Sequence, residues 1–263
     1  MKQQVGSQGA LLTQSWIQAS RLLIRWRRDR AVLLGSLAFP ICLMLIYQIV
    51  LGERVRKVTG IDSVYGLAPL CAQMSALFGT LGAAVDLSLE RELGLLSRMW
   101  VLPVHRASAL AGRMAADAAR ALVATTLVTA VGVAMGLRFT HGWYTVLFYI
   151  LIPSVAVVGF TAFVMALAIS TNGRTVMVWL VGATISLAFL NPGTTPIALY
   201  PDWLQPFVRV QPVSPPIETM WALAHGGPFL GPLAITLLWT VGLLAVFVPI
   251  AARGYRIAAE RTT

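Results

Sequence analysis

Six apolar stretches occupy most of this chain: Ala31–Gly52, Val64–Val85, Leu122–Leu137 (extended back toward Ala115), Trp143–Ser170, Val176–Leu190 and Phe229–Ala252. About 20 apolar residues in a helix cross a bilayer core. Five of the stretches reach that length, and Val176–Leu190 reaches it by running on toward Leu199. Of the 263 residues 57% are hydrophobic and only 11% charged, against roughly 25% charged in a soluble domain. The expected fold is therefore all-α: a single six-span membrane domain over residues 1–263. It has an interfacial leader (1–30), a cytosolic loop (86–120) and an external hairpin between spans five and six (191–227). No stretch holds an unambiguous charge at its centre. A chain that moves protons or ions by itself keeps an ionisable group at mid-membrane, at a cost of about 3 kcal/mol. This chain is expected to take its energy from elsewhere.

The net charge of +10 invites a nucleic-acid reading, but its placement argues for membrane topology instead. With the N-terminus in the cytosol, inner segments hold Lys2, Arg21, Arg25, Arg27, Arg28, Arg30, Arg91, Arg98, Arg106, Arg113, Arg120, Arg174, Arg253, Arg256 and Arg261. Outer segments hold Arg54, Arg56, Lys57, Arg138 and Arg209. Cytosolic loops are the ones enriched in Lys and Arg, so both termini are expected in the cytosol of a multi-pass plasma-membrane protein. Cys42 and Cys71 fall inside the first two stretches and read as small packed residues. The basic N-terminus and long first apolar run do not resemble a cleaved signal peptide.

Leu12, Trp16, Ala19, Leu23 and Trp26 recur at helical steps, with Arg21, Arg25 and Arg28 on another face. That pattern predicts an amphipathic helix over Leu11–Arg30 in the inner interface, its arginines toward anionic lipid. The second stretch mixes Gln73, Ser75 and Thr80 with Gly66, Ala68, Ala72, Ala76, Gly79, Gly82, Ala83 and Ala84, a composition suited to helix contacts or a cavity. Gly132 and Gly136 form a GxxxG that serves packing within the subunit or a dimer. Ser88–Trp100 has a Leu89, Leu93, Leu96, Trp100 stripe with Glu90, Arg91, Glu92 and Arg98 off it. This predicts a short cytosolic helix closed by Pro103; an ordinary surface loop is the alternative. Seven prolines between Pro192 and Pro216 exclude a clean spanning helix. Tyr200, Trp203, Phe207 and Trp221 suit membrane-interface depth, and Ile217–Ala224 could be one helical piece.

Chemistry-bearing motifs are missing. A phosphate-binding loop needs a lysine directly before Ser or Thr, yet Lys2 precedes Gln3 and Lys57 precedes Val58. His105, His141 and His225 stand apart and read as polar anchors, so no metal site is expected. Ser154, Ser170 and Ser186 lack a histidine and carboxylate in reach. Asp86 and Arg120 lie near inner span ends, where water or snorkelling is expected to reach them, and Asp86 or Asp117 is expected to pair with Arg113 or Arg120 structurally.

The run DLSLERELGLLSRMWVLPVHRASALAGR, with Glu90, Arg91, Glu92, Gly94 and Pro103, resembles the loop after the second span in type-2 ABC exporter permeases. The outer stretch YPDWLQPFVRVQPVSPPIETMWAL resembles the same family through Pro201, Trp203, Leu204, Gln205, Gln211, Pro212, Val213 and Ser214. WVLPVHRAS and the YPDWLQPFV–QPVS pair look like the daunorubicin-resistance subgroup, and like the C-type permeases of mycobacterial exporters of phthiocerol dimycocerosate-like surface lipids. The resemblance implies a permease that moves a lipid, glycolipid or drug outward. It implies two copies of a separate ATPase that supply the ATP and Mg chemistry, and a second permease, alike or different, among membrane lipids. It also implies a coupling helix (Leu89, Glu90, Arg91, Glu92, Leu93, Gly94, Leu96, Trp100, Pro103) seated in the ATPase. The pathway would be lined by spans two and five, with Gln73, Ser75, Thr80, Thr184 and Ser186. The external hairpin would use Pro201, Trp203, Gln205 and Pro212. The rival readings are a secondary carrier working without an ATPase and a non-transporting assembly subunit.

Overall fold

A computed structural model describes residues 8–92, 106–140, 142–170 and 173–260. Among them there are helices and connecting turns and no strand. The helices are α1 (Gln8–Arg28), α2 (Arg30–Thr59), α3 (Val64–Glu92), α4 (Arg106–Ala134), α5 (Trp143–Ser170), α6 (Gly173–Phe189), α7 (Gln205–Val210), α8 (Ser214–His225) and α9 (Leu230–Glu260).

Four helical segments among the described residues are long and apolar enough to cross a membrane: Val64–Val85, Ser108–Ala134, Trp143–Ala168 and Leu230–Arg253. Two of the six expected stretches form helices with shorter apolar runs, Pro40–Val50 in α2 and Val178–Phe189 in α6. The expected continuation of the fifth stretch toward Leu199 does not form. Asn191 stops it: its side-chain amide donates to the Ala188 carbonyl while its Oδ1 accepts from Gly193 N–H at 2.8 Å. Pro192 follows, and only a short 3₁₀ turn forms at Ile197–Leu199. The third stretch is corrected in the other direction. α4 begins at Arg106, so residues 106–120 of the expected cytosolic loop belong to a long helix, and Ser88–Glu92 continues α3 rather than opening a separate helix. The basic cluster Arg54, Arg56, Lys57 rides on the last turns of α2 instead of in a loop.

α3 is the hub. Of its apolar window 72% is buried inside the bundle, with Ala68, Ala72, Ala76 and Ala84 at its contacts, and it touches α2, α4, α5, α6 and α8. Van der Waals packing, not a hydrophobic force, holds helices together in lipid, and small side chains let backbones approach. α9 lies at the periphery, with 11% of its apolar window buried; it packs chiefly along α5. The GxxxG pair separates into two jobs. Gly132 faces Ala68 across the α3–α4 contact. Gly136 lies beyond α4 at φ 112°, where it ends the helix and lets Leu137 N–H reach the Gly132 carbonyl at 2.9 Å.

The proline-rich stretch 191–227 forms short helices. Pro215 and Pro216 occupy the first turn of α8, where a missing N–H costs nothing, and nearly every following residue of α8 is buried. The expected piece Ile217–Ala224 thus lies inside a longer helix that enters the core between α3, α5 and α9. Gly226, at φ 92°, ends it. α1 covers Leu11–Arg28 as expected, but packs on α4. A Cβ added at Gly112 would lie 2.7 Å from Gln18 Cβ and 2.9 Å from the Ser15 carbonyl oxygen. Ala19 faces inward while Trp16 stays 70% exposed.

The tightest crossing of α5 and α9 yields a test. A Cβ at Gly159 would sit 2.9 Å from Thr240 Cα, a backbone atom that cannot swing away. Gly159→Ala is expected to destabilise the fold by about 1–3 kcal/mol, the usual range for overpacking, read as a lower thermal unfolding midpoint in detergent. Gly182→Ala, with open space around the new methyl, is expected to leave the midpoint unchanged.

Candidate functional site

The polar residues expected to share one pathway fall into three places. Ser75 and Thr80 on α3 border a void of about 10 Å³ beside Trp26 of α1 and Asp117 and Arg120 of α4. Gln73 and Thr184 border a second, about 50 Å³, with Pro212, Pro216, Thr236 and Thr240. Ser186 is exposed on α6, its hydroxyl donating to the Gly182 carbonyl at 3.0 Å. The threonine hydroxyls are largely spent on their own helices: Thr80 donates to Ala76 O at 3.3 Å, and Thr236 and Thr240 donate to the carbonyls four residues back, each at 2.9 Å. Gln73 Oε1 is buried without a hydrogen-bond partner, so it is the strongest polar feature of the second void.

The inner void corrects one expectation. Asp117 and Arg120 lie within the apolar helix segment Ser108–Ala134, and snorkelling does not expose them. The Asp117 side chain is 2% and that of Arg120 16% accessible, and the two form an ion pair. Asp117 also accepts a hydrogen bond from Thr161 Oγ1 of α5 at 2.9 Å. The expected Asp117–Arg120 partnership forms, but at a three-helix seam, about 13 Å along α4 from Ser108 at 1.5 Å per residue. The sequence showed both residues; it could not show that Thr161, 44 positions away, completes the set.

At the opposite end of the bundle the chain closes round a cavity of about 600 Å³. Its walls come from the end of α2 (Val55), the turn before α3 (Ile61, Asp62, Ser63), Gly66, the turn after α6 (Pro192–Leu199), α8 (Ile217, Glu218, Trp221, Ala222) and the start of α9 (Pro228, Pro232). Gly66 and Gly193 set its floor by backbone contact: a Cβ at Gly66 would lie 2.3 Å from the Gly193 carbonyl oxygen. Gly60, at φ 72°, makes the turn that brings Asp62 round from α2. Asp62 is exposed and 3.9 Å from Arg56. Burial pushes the Glu218 carboxyl above its ordinary range, and Arg209 on α7 pulls it only partly back. This cavity was not foreseen from the sequence; the acidic residues at 62 and 218 are 156 positions apart and no local pattern joins them.

The external-hairpin residues hold this end together. Gln205 donates to the Tyr200 carbonyl at 2.9 Å and to Asp202 at 3.2 Å. Tyr200 donates to the Asn191 carbonyl at 3.2 Å. Gln211 donates to the Leu190 carbonyl and to Ser214. Trp239 Nε1 donates to the Val210 carbonyl at 2.7 Å, tying α7 to α9. Pro201 is exposed, Trp203 is 79% exposed, and Pro212 is half-buried. His225 stacks on Trp221 at 4.9 Å and meets Tyr65 edge-on at 5.6 Å, the role of a packed anchor. His105 and His141 lie outside the described residues, as do Leu93, Gly94, Leu96, Trp100 and Pro103. Leu89, Glu90, Arg91 and Glu92 lie on the final helical turn of α3, and the description there covers backbone only. Cys42 and Cys71 are free thiols.

A bundle of long apolar helices around a small-residue hub defines a multi-pass membrane protein. The chain belongs to the ABC-2 type transporter family, which it matches over residues 13–223. It is 41% identical over 257 residues to the probable doxorubicin resistance ABC transporter permease protein DrrC of two Mycobacterium tuberculosis strains, covering 96% of this chain and 93% of that protein. It is 24% identical over 255 residues to the daunorubicin resistance ABC transporter permease protein DrrB1 of Streptomyces coeruleorubidus, covering 94% and 86%. The chain is thus a membrane permease subunit of an ABC exporter, of a family whose ATPase resides in a separate subunit and whose members work with a partner permease.

The seam at Asp117 makes a measurable prediction. Removing one partner of a buried ion pair costs about 3–5 kcal/mol, because the other charge is left without compensation. Asp117→Leu is expected to lower the thermal midpoint sharply, and adding Arg120→Met is expected to recover most of the loss. A double variant no more stable than the single one would show that the charges do not act as a pair.

Proposed function

We propose that this permease exports a hydrophobic cargo through a path completed by a second permease, the same chain or a different one, and is driven by two copies of a partner ATPase that bind and hydrolyse ATP with Mg. The chain itself has no catalytic or metal role in this reading. The cargo class is that of the relatives named for doxorubicin and daunorubicin resistance, with lipid or glycolipid as the wider possibility. Six spans cross the membrane, α2 and α6 among them, with both termini in the cytosol and α1 along the inner leaflet.

The observation that carries the reading is the continuity of α3. It runs helical from Val64 to Glu92, straight into the segment resembling the family's coupling helix. Leu89, Glu90, Arg91 and Glu92 begin that lever, and Leu93, Gly94, Leu96, Trp100 and Pro103 complete its contact with the ATPase. ATP closes the ATPase pair, and the lever shifts the permease equilibrium by the difference in affinity for its two states. Gln73, Ser75, Thr80, Thr184 and Ser186 serve the moving helices, and Pro201, Trp203, Gln205 and Pro212 brace the outer end.

Leu96→Asp tests the lever. A carboxylate in a packed contact costs several kcal/mol, so ATPase pull-down and substrate efflux are expected to fall while the helices still insert. Glu92→Lys is expected to be milder, since a pair on a wet rim contributes about 0–1 kcal/mol. Normal pull-down and efflux for Leu96→Asp would reduce the segment to a surface loop. The topology has its own check: a cysteine added at Thr194 is expected to label from outside sealed cells and one at Ser7 is not.

A further inference from the structure

The outer cavity has the size of a ligand site, and the charge on its walls has one sign. About 600 Å³ falls within the range of small-molecule pockets, which are mainly apolar with a few placed polar groups. Among the described residues its charged lining residues are Asp62 and Glu218, and none of the lining is basic. This contrasts with the chain as a whole, which is +10, although Arg56 stands beside Asp62 and Arg209 acts on Glu218 from outside the lining. The carboxylates stand on different elements, the turn before α3 and the middle of α8, while prolines and aliphatic side chains supply most of the remaining wall. Trp221, whose ring stacks on His225, adds an aromatic wall for an apolar body. Low-dielectric walls of one charge sign concentrate the opposite charge within a cleft.

We propose that this cavity is a binding site for an amine-bearing amphiphile, with Glu218 and Asp62 facing the ammonium and Ile217, Trp221, Pro196 and Leu199 taking the apolar body. Glu218 is the principal counter-ion because it is half-buried in the wall. Each carboxylate has a basic neighbour outside the lining, Arg209 for Glu218 and Arg56 for Asp62; Asp62 is the more exposed of the two and contributes less. The place of the site in transport, on the release side, rests on the export reading above; the binding itself does not.

The test uses the purified full chain in neutral maltoside detergent, without an ATPase, and a fluorescent hexadecylammonium probe followed by anisotropy. Saturable binding is expected, displaced by unlabelled hexadecylammonium but not by hexadecanol or hexadecyl phosphate. Glu218→Gln is expected to weaken binding about tenfold, as loss of a close charge partner does, and Asp62→Asn less. Thr194→Lys, which adds a cation to the lining, is expected to abolish binding and leaves both carboxylates in place if Glu218→Gln fails to fold. Equal binding of the alcohol or the phosphate, or unchanged affinity in the Glu218→Gln, Asp62→Asn double variant and in Thr194→Lys, would overturn the site. Failure here with normal ATPase pull-down removes the site alone; binding here without ATPase association removes the export reading alone.

Discussion

Close backbone approach along α3 is the constraint on which the rest of the fold depends. Water drives no association between helices inside a bilayer, so a helix that contacts five others must bring them near enough for van der Waals packing. Alanines at 68, 72, 76 and 84 do this, and Gly66 goes further by touching the Gly193 backbone directly. Two consequences follow. α8, a proline-started helix of twelve residues, can insert beside α3 instead of lying on the surface. The turn after α6 is also held at a fixed height on α3, which leaves the outer cavity between them.

Polar side chains inside this bundle serve mostly to close local hydrogen bonds. Thr80, Thr129, Thr236 and Thr240 each donate to the carbonyl four residues earlier, which satisfies the hydroxyl without offering it to a passing molecule. Asp117 is likewise held locally, by the Arg120 ion pair and the Thr161 hydroxyl. A polar side chain in a spanning helix is therefore weak evidence for a pathway until its hydrogen bond is known. Gln73 differs, since its Oε1 is buried and unsatisfied. The void it borders lies where α3, α5, α6, α8 and α9 meet, so any rearrangement of α6 against α3 exposes it first.

The sequence made the helical class, the buried character of α3 and the interfacial pattern of α1 legible, because each is written in local composition and period. Small residues on Val64–Val85 announced a helix in contact with others, and 72% of its window is buried. Helix ends were less legible. Arg106–Arg120 read as loop because its charges were counted before their partners were known, yet it is helical and Asp117 is paired inside the bundle. Proline density between 192 and 216 correctly excluded a spanning helix, and the piece Ile217–Ala224 was legible, but the prolines concealed where α8 starts. Proline at a first turn and proline in a loop look alike until the following residues are seen to be buried. The outer cavity was illegible for a simpler reason. It is built from six separate parts of the chain, and its two carboxylates come to line one cavity only after the chain has crossed the bundle several times.

The geometry of α3 also limits how a push from the cytosol can travel. At 1.5 Å per residue its 29 residues extend about 43 Å, from the Gly66–Gly193 contact to the edge of the segment resembling a coupling helix. Rotation about its axis would drive its small face out of register with its five neighbours and replace alanine contacts by larger side chains. Translation or tilt keeps the small face in place. The contacts at stake are spread along it: the void around Ser75 and Thr80 beside Asp117 at its middle, and the glycine pair under the cavity near its start. Under the export reading proposed above, a stroke delivered at Glu92 is passed to Gly193, and through Asn191 to the end of α6. In the proposed cycle, an inner push and an outer opening are two ends of one rigid helix, with no need for a relay of charges through the membrane.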